Sequence, residues 1–191
     1  MLEPGLALCR ASGDRTWLRR FAGGLGYAYA LQGRLAEGRA LLEEASSEAL
    51  RTGGRINHAR WVAWLSEVCR LAGRREEACH HAHQALDLAR QYKECGNEAR
   101  ALYQLGVVQA HADPPDAIQA EAHYQQALAL AEELGMRPLV AHCHHGLGRL
   151  YGQTGRGERA CAALTTAIDL YRAMDMTFWL PQAEAALAQM A

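Results

Sequence analysis

The side chains able to do chemistry in this sequence are thiols, imidazoles and carboxylates, and their spacing is the first question. Cysteines stand at 9, 69, 79, 95, 143 and 161, with no CxxC pair. Two runs concentrate soft ligands, Cys79-His80-His81-Ala82-His83 and His142-Cys143-His144-His145. On a helix the first brings Cys79 and His80 each onto a face with His83, and the second brings His142 onto a face with His145. A metal centre needs three or four converging ligands with supporting partners behind them. Neither run supplies that on one face, and no HExxH spacing occurs. These histidines are therefore expected to be solvated or hydrogen-bonded on helix surfaces, with no metal.

Nucleophilic and phosphate chemistry fare no better. No nucleophile elbow and no glycine-rich phosphate loop is present. Lys93, the only lysine, lies in Arg90-Gln91-Tyr92-Lys93-Glu94 without the preceding glycines a P-loop requires. The acidic pairs Glu43-Glu44, Glu76-Glu77 and Glu132-Glu133 fall where solvated helix faces are expected. The expectation is a chain with no catalytic residue and no cofactor, not an enzyme.

The bulk properties narrow the partners. The 191 residues carry a formal charge of −1, half are apolar and 21% are charged. That balance suits a folded domain and exerts no global pull on nucleic acid or anionic lipid. No basic run interleaved with aromatics argues for nucleic acid. The start, Met1-Leu2-Glu3-Pro4-Gly5-Leu6, lacks the basic and apolar regions of a signal peptide. No apolar run reaches the roughly 18 to 20 residues of a membrane span. Reduced thiols and a cytoplasmic location are expected.

The elements that must position these residues show themselves as a repeat. Leu25-Gly26-Tyr27-Ala28-Tyr29, Leu65-Ser66-Glu67-Val68-Cys69, Leu105-Gly106-Val107-Val108-Gln109 and Leu147-Gly148-Arg149-Leu150-Tyr151 align with one another. Their small residues are spaced 40, 40 and 42 apart, and Gly38, Ala78, Ala120 and Ala160 are spaced 40, 42 and 40. Ala45, Ala85, Ala127 and Ala167 follow seven residues behind. The two additional residues belong to a longer turn around His111-Ala112-Asp113-Pro114-Pro115-Asp116. Each unit reads as two antiparallel helices. The first closes near a Gly-Arg pair, the second near Gly53-Gly54, Gly96, Gly135 and Asp175. Small residues at fixed slots let the two helices approach closely, and apolar spacings of three and four supply a buried stripe.

The pattern Leu-Gly/Ala-x-x-Tyr followed by Ala, an aromatic or Leu, and Ala resembles the tetratricopeptide repeat. Leu147, Gly148, Tyr151, Ala160, Leu164 and Ala167 match it in full; Leu105, Gly106, Ala120, Tyr124 and Ala127 match with Gln109 in the tyrosine slot. The second unit departs, with Cys69 and Ala82 in the two aromatic slots, and the first has Gly38 where alanine is usual. The resemblance implies an all-α fold, a right-handed α-α superhelix of four hairpins of about 40 residues rather than the family's usual 34. The expected domain is 1–191, with repeats at about 14–54, 55–95, 96–136 and 137–175, a partial helix over 4–11 and a capping helix over 178–190. Residues 127–144 and 171–176 look like the C-terminal repeat region of large bacterial cyclase/ATPase signalling regulators, and both ends look like those of a fragment of such an array. The resemblance implies a regulatory or sensing module and brings no catalytic residue.

Within that frame a charge period stands out. Arg20, Arg60 and Arg100 are 40 residues apart, and His142 takes the same slot in the fourth unit. In the family this slot faces the concave groove, where neighbouring side chains would stand about 10 Å apart. Asn57 and Asn97 sit three residues earlier. With Tyr27, Tyr103 and Val107 these residues are the candidate partner-binding set, suited to a protein or peptide with acidic character. Two bland alternatives stay open: arginines paired within the array, and aromatic residues used in packing between repeats. Two other functions are also weighed, structural self-association and metal response through the histidine runs.

Overall fold

The computed structural model describes residues 2–54 and 56–190. Arg55, where the second expected repeat begins, and Met1 and Ala191, the ends of the expected domain, lie outside the described residues. The described chain is helical throughout, without a strand. Its helices are α1 Leu2–Ser12, α2 Arg15–Leu31, α3 Leu35–Thr52, α4 His58–Leu71, α5 Arg75–Gln91, α6 Cys95–Ala110, α7 Ala117–Glu133, α8 Arg137–Gln153, α9 Gly157–Ala173 and α10 Leu180–Ala188. They fall into two compact units, Met1–Asn97 and Glu98–Ala191.

In the first unit α2 packs on α3, α4 on α5, α3 on α4, and α1 on α2. Asp14 starts α2 by accepting hydrogen bonds from the amides of Thr16 and Trp17, each 3.1 Å, which satisfies donors a helix start leaves open. The α2–α3 hairpin is closed by two glycines. A Cβ on Gly26 would stand 2.8 Å from the Gly38 carbonyl oxygen, and one on Gly38 would stand 2.6 Å from that of Gly26. Two backbones this close leave no room for alanine, which explains the departure at Gly38. In the α4–α5 hairpin Ser66 takes the small slot, fully buried, and its hydroxyl donates to the Ala78 carbonyl at 2.7 Å. The core of this unit comprises Leu25, Leu42, Ala45, Trp61, Leu65 and Val68 with their neighbours.

In the second unit α7 packs on α8, α8 on α9, and α9 on α10. Asp116 caps α7 by accepting from the Gln119 amide at 3.0 Å. The small slots are closed by side chains here: a Cβ on Gly106 would meet the Tyr124 ring at 2.7 Å, and one on Gly148 would meet Leu164 Cγ at 2.6 Å. Tyr124, Leu147, Leu150 and Tyr151 form one core, and Ala141, Ile168, Tyr171 and Ala183 another.

One expected helix end moves. α5 stops at Gln91, and Lys93, with φ 56°, makes the left-handed turn. The Glu94 amide then donates back to the Ala89 carbonyl at 2.8 Å. Gly96, the residue expected to end that helix, lies inside α6. Lysine is tolerated there because the returning hydrogen bond offsets the cost of its conformation.

Candidate partner-binding site

The first unit assembles part of the candidate set on α2, α4 and the start of α6. Tyr27 stacks on Trp64, ring centroids 4.6 Å apart and planes within 8°. Arg60 lies one turn before Trp64 on α4, so the two share a helix face. Arg60 Nε donates to Asn97 Oδ1 at 3.3 Å, and Asn97 Nδ2 donates to Glu94 Oε2 at 2.9 Å. Asn97 is buried and Arg60 half-buried. Asn57, at φ 65°, precedes α4, and its carboxamide makes no capping bond. Arg20 is exposed, with its guanidinium 5.3 Å from the centre of the Trp17 ring.

The arginines of this unit meet different partners, Arg19 donating to the Thr52 hydroxyl at 2.9 Å. Arg10, Arg15, Arg34, Arg39, Arg51, Arg70 and Arg74 each pair with a glutamate at 3.0 Å or less. Arg20 and Arg60 have no carboxylate partner among the described residues. They are the two members of the 40-residue period that this unit holds.

Arg100, Tyr103, Val107 and His142 lie in the second unit. Val107 is 8% exposed and belongs to the core with Tyr124 and Leu147. Tyr103 is half-buried, its ring 5.8 Å from that of Tyr124 and 6.0 Å from that of His142. His142 occupies the arginine slot but not its chemistry. Its Nδ1 meets the Tyr171 hydroxyl at 2.7 Å, and its ring lies edge-on to Trp179 at 4.8 Å. Burial, with His145 and Arg100 acting in the same direction, pushes its pKa down to about 4. The slot therefore holds a neutral imidazole in an aromatic box.

The histidine runs behave differently from each other. His80 and His83 are exposed, while His81 is half-buried and its Nδ1 meets Gln84 Oε1 at 3.3 Å. His145, like His142, is held down to about 4 by burial, then by Arg149. Burial also lowers His144 and pushes the Cys143 thiol up to about 12, so that thiol is inert at neutral pH.

Three features escaped sequence reasoning. Trp64 was findable as the residue one turn beyond Arg60. Trp179 and Tyr171 become neighbours of His142 only through packing. A cleft of about 520 Å³ in the first unit, lined by Leu6, Leu25, Tyr29, Leu41, Glu3 and Glu37, has no sequence signature; the Tyr29 hydroxyl donates to Glu3 across it.

Residues 116–173 match the tetratricopeptide repeat family, which takes in α7, α8 and α9. Over 129 residues the chain is 32% identical to the Regulatory protein AfsR of Streptomyces griseus, covering 67% of this chain and 13% of that protein. The chain thus spans a small part of the length of the curated relative it matches. A solved Rap protein complexed with Competence and Sporulation Factor is similar at TM-score 0.77 and 17% identity, over 90% of this chain and 51% of the other. A Signal Transduction ATPase with Numerous Domains from Pyrococcus horikoshii, with a tetratricopeptide repeat sensor, is similar at TM-score 0.69 and 18% identity, over 93% of this chain and 27% of the other. At such identities the two structures speak to fold alone. No helix among the described residues is long and apolar enough to cross a membrane. Residues 116–173 thus match the tetratricopeptide repeat, the rest of the described chain is likewise built of helices, and over 129 residues the chain is similar in sequence to a regulator.

Proposed function

We propose that this chain is a protein-interaction module of a bacterial signalling regulator, placed in the cytoplasm, which captures a partner peptide or domain of acidic character and performs no catalysis. The observation that carries the reading is the pair Arg20 and Arg60. In a unit where seven other arginines pair with glutamate, these two keep a guanidinium without a carboxylate partner among the described residues. Arg60 is steadied by Asn97 at 3.3 Å and lies on one helix face with Trp64, itself stacked on Tyr27. A fork able to take a carboxylate bidentately, beside a flat apolar surface, suits a peptide. Asn57, with Arg100 and Tyr103 of the second unit, belongs to the same proposal, as does the division into repeats at about 14–54, 55–95, 96–136 and 137–175.

The similar Rap structure, complexed with Competence and Sporulation Factor, and the relative named a regulatory protein both support this reading. The test is titration of the full chain with matched fluorescent peptides, acidic, neutral and basic, at low and moderate salt. The acidic set is expected to bind best and to weaken as salt rises, because exposed charges are screened beyond roughly 8 to 10 Å. Arg60→Ala with Arg100→Ala is expected to weaken binding about thirtyfold, the sum of two partly solvated pairs worth about 1 kcal/mol each. Equal binding by both forms, with helical content intact, would sink the assignment.

A further inference from the structure

The second hairpin departs from its neighbours in a way that brings three ligand types together. At the tyrosine slot of the first helix, the four units carry Tyr29, Cys69, Gln109 and Tyr151; at the facing slot of the second helix they carry Leu41, His81, His123 and Ala163. In the third unit these slots meet directly, His123 Nδ1 lying 2.7 Å from Gln109 Oε1. In the second unit the same geometry sets His81 against the Cys69 thiol. Glu77 precedes His81 by one helical turn, so both reach the same side of α5. One ligand atom from each of Cys69, Glu77 and His81 lies within 4.8 Å of the others.

We infer that Cys69, Glu77 and His81 form a binding site for a divalent transition ion of the zinc type, joining α4 to α5. A thiolate, an imidazole and a carboxylate are the donors such an ion prefers, and three protein ligands leave a fourth, tetrahedral position for water. The atoms need to close by only about an ångström to reach the ligand separations that bonds of about 2.0 to 2.3 Å impose. The imidazole has an outer partner: donation from His81 Nδ1 to Gln84 Oε1, 3.3 Å away, would leave Nε2 as the ligand. Cys69 is 1% exposed, and burial raises its pKa, with Arg39 opposing. Binding therefore forms the S–metal bond as the thiol proton leaves to solvent.

Arg39 supplies the positive charge at this place. Its guanidinium lies 3.9 Å from Cys69 Sγ, 3.0 Å from Glu77 Oε2 and 2.6 Å from Glu43 Oε1. Arg74 holds the other Glu77 oxygen at 2.7 Å. An ion entering between the three ligands takes over Glu77 Oε2 from Arg39, which keeps Glu43. Both Glu77 pairs are partly solvated and so exchange at small cost.

The experiment is titration of the chelator-stripped, reduced full chain with Co²⁺, followed by displacement with Zn²⁺. One Co²⁺ per chain is expected, with a thiolate charge-transfer band and the intense visible bands of four-coordinate cobalt. Cys69→Ser should abolish the charge-transfer band. His81→Gln should weaken binding at least tenfold, a change at a half-buried position that leaves folding intact. Arg39→Gln, which removes the competing cation, should tighten it. His83→Ala, at an exposed residue of the same run, should leave it unchanged. A charge-transfer band that survives Cys69→Ser, or affinity unmoved by His81→Gln, would place any metal elsewhere and overturn the site; so would the absence of four-coordinate bands in the parent.

Discussion

Arg60 in the first unit and His142 in the second occupy one register of the repeat, early in the first helix of a hairpin, and they hold opposite electrical states. Arg60 keeps its charge without a carboxylate partner among the described residues, its Nε on Asn97 at 3.3 Å. His142 is neutral, bonded to Tyr171 at 2.7 Å and walled by Trp179 at 4.8 Å. A sequence period determines where on a helix a side chain emerges. What that side chain meets there determines its partners and, for a histidine, how readily it takes up a proton. The same contrast runs through the small slots. A Cβ on Gly26 would meet a backbone oxygen at 2.8 Å, which cannot yield, while one on Gly148 would meet Leu164 Cγ at 2.6 Å, part of a side chain that can shift.

The sharpest way to break the comparison is to force the two registers to be alike. His142→Arg, placing a fixed charge among Tyr171, Trp179 and the nearby Arg100, is expected to cost about 3 kcal/mol or more, as an unpaired buried charge does. His142→Phe should cost only about 1 kcal/mol, mainly for the Tyr171 hydroxyl left without its partner. Urea unfolding of the three proteins measures both. If His142→Arg melts like the parent, the aromatic box is open to water and the contrast fails.

Next in size are the small slots. Gly148→Leu is expected to destabilise by about 2 kcal/mol or more through overpacking. Alanine separates the hairpins: Gly26→Ala should cost more than Gly148→Ala, since the nearest obstacle to the first is backbone and to the second a side chain. Thermal melts in which the order is reversed would show that the α2–α3 backbones can part more easily than their spacing implies.

Acid should weaken the fold through the second unit. An ordinary histidine titrates near 6.5, and His142 and His145 are both held down to about 4. Between those values the unfolded chain binds protons that the folded chain refuses. Their contribution is thus complete above pH 6.5, falls as pH drops toward 4, and changes no further below it. Melting temperature is expected to decline over that window, and His142→Phe should flatten the decline. An equal slope in parent and variant would assign the acid sensitivity to other groups.

The smallest expected change is in the stability of Arg60→Ala. With only one weak hydrogen bond to Asn97 lost, its unfolding free energy should stay within about 0.5 kcal/mol of the parent, although peptide binding suffers. A drop of 2 kcal/mol would mean that Arg60 holds the unit together, and the partner-binding reading would lose its main support.

The helical hairpins, their register, and the small slots were legible in the sequence, because helix periodicity and close packing leave one-dimensional traces. Gly26, Ser66, Gly106 and Gly148 are buried contacts as their spacing implies. The end of α5 was not legible: Gly96 looked like the stop, but Lys93 takes the left-handed conformation. Val107 was a candidate for the surface by register and lies in the core, since register alone does not say how deep a slot is buried.

By itself, then, the sequence determined the repeat, the fold class and the positions that must be small. Local periodicity dictates which residues share a helix face, and nothing distant is needed to read it. Tertiary structure alone decided the chemistry at those positions. Burial and neighbours from other helices hold His142 neutral well below the usual histidine range, whereas an arginine is charged wherever it stands, and only packing decides what it faces. Ligand convergence likewise needs two helices: Cys79 and His83 stand one turn apart on a single helix and are legible in the sequence, while Cys69, Glu77 and His81 meet only when α4 packs on α5.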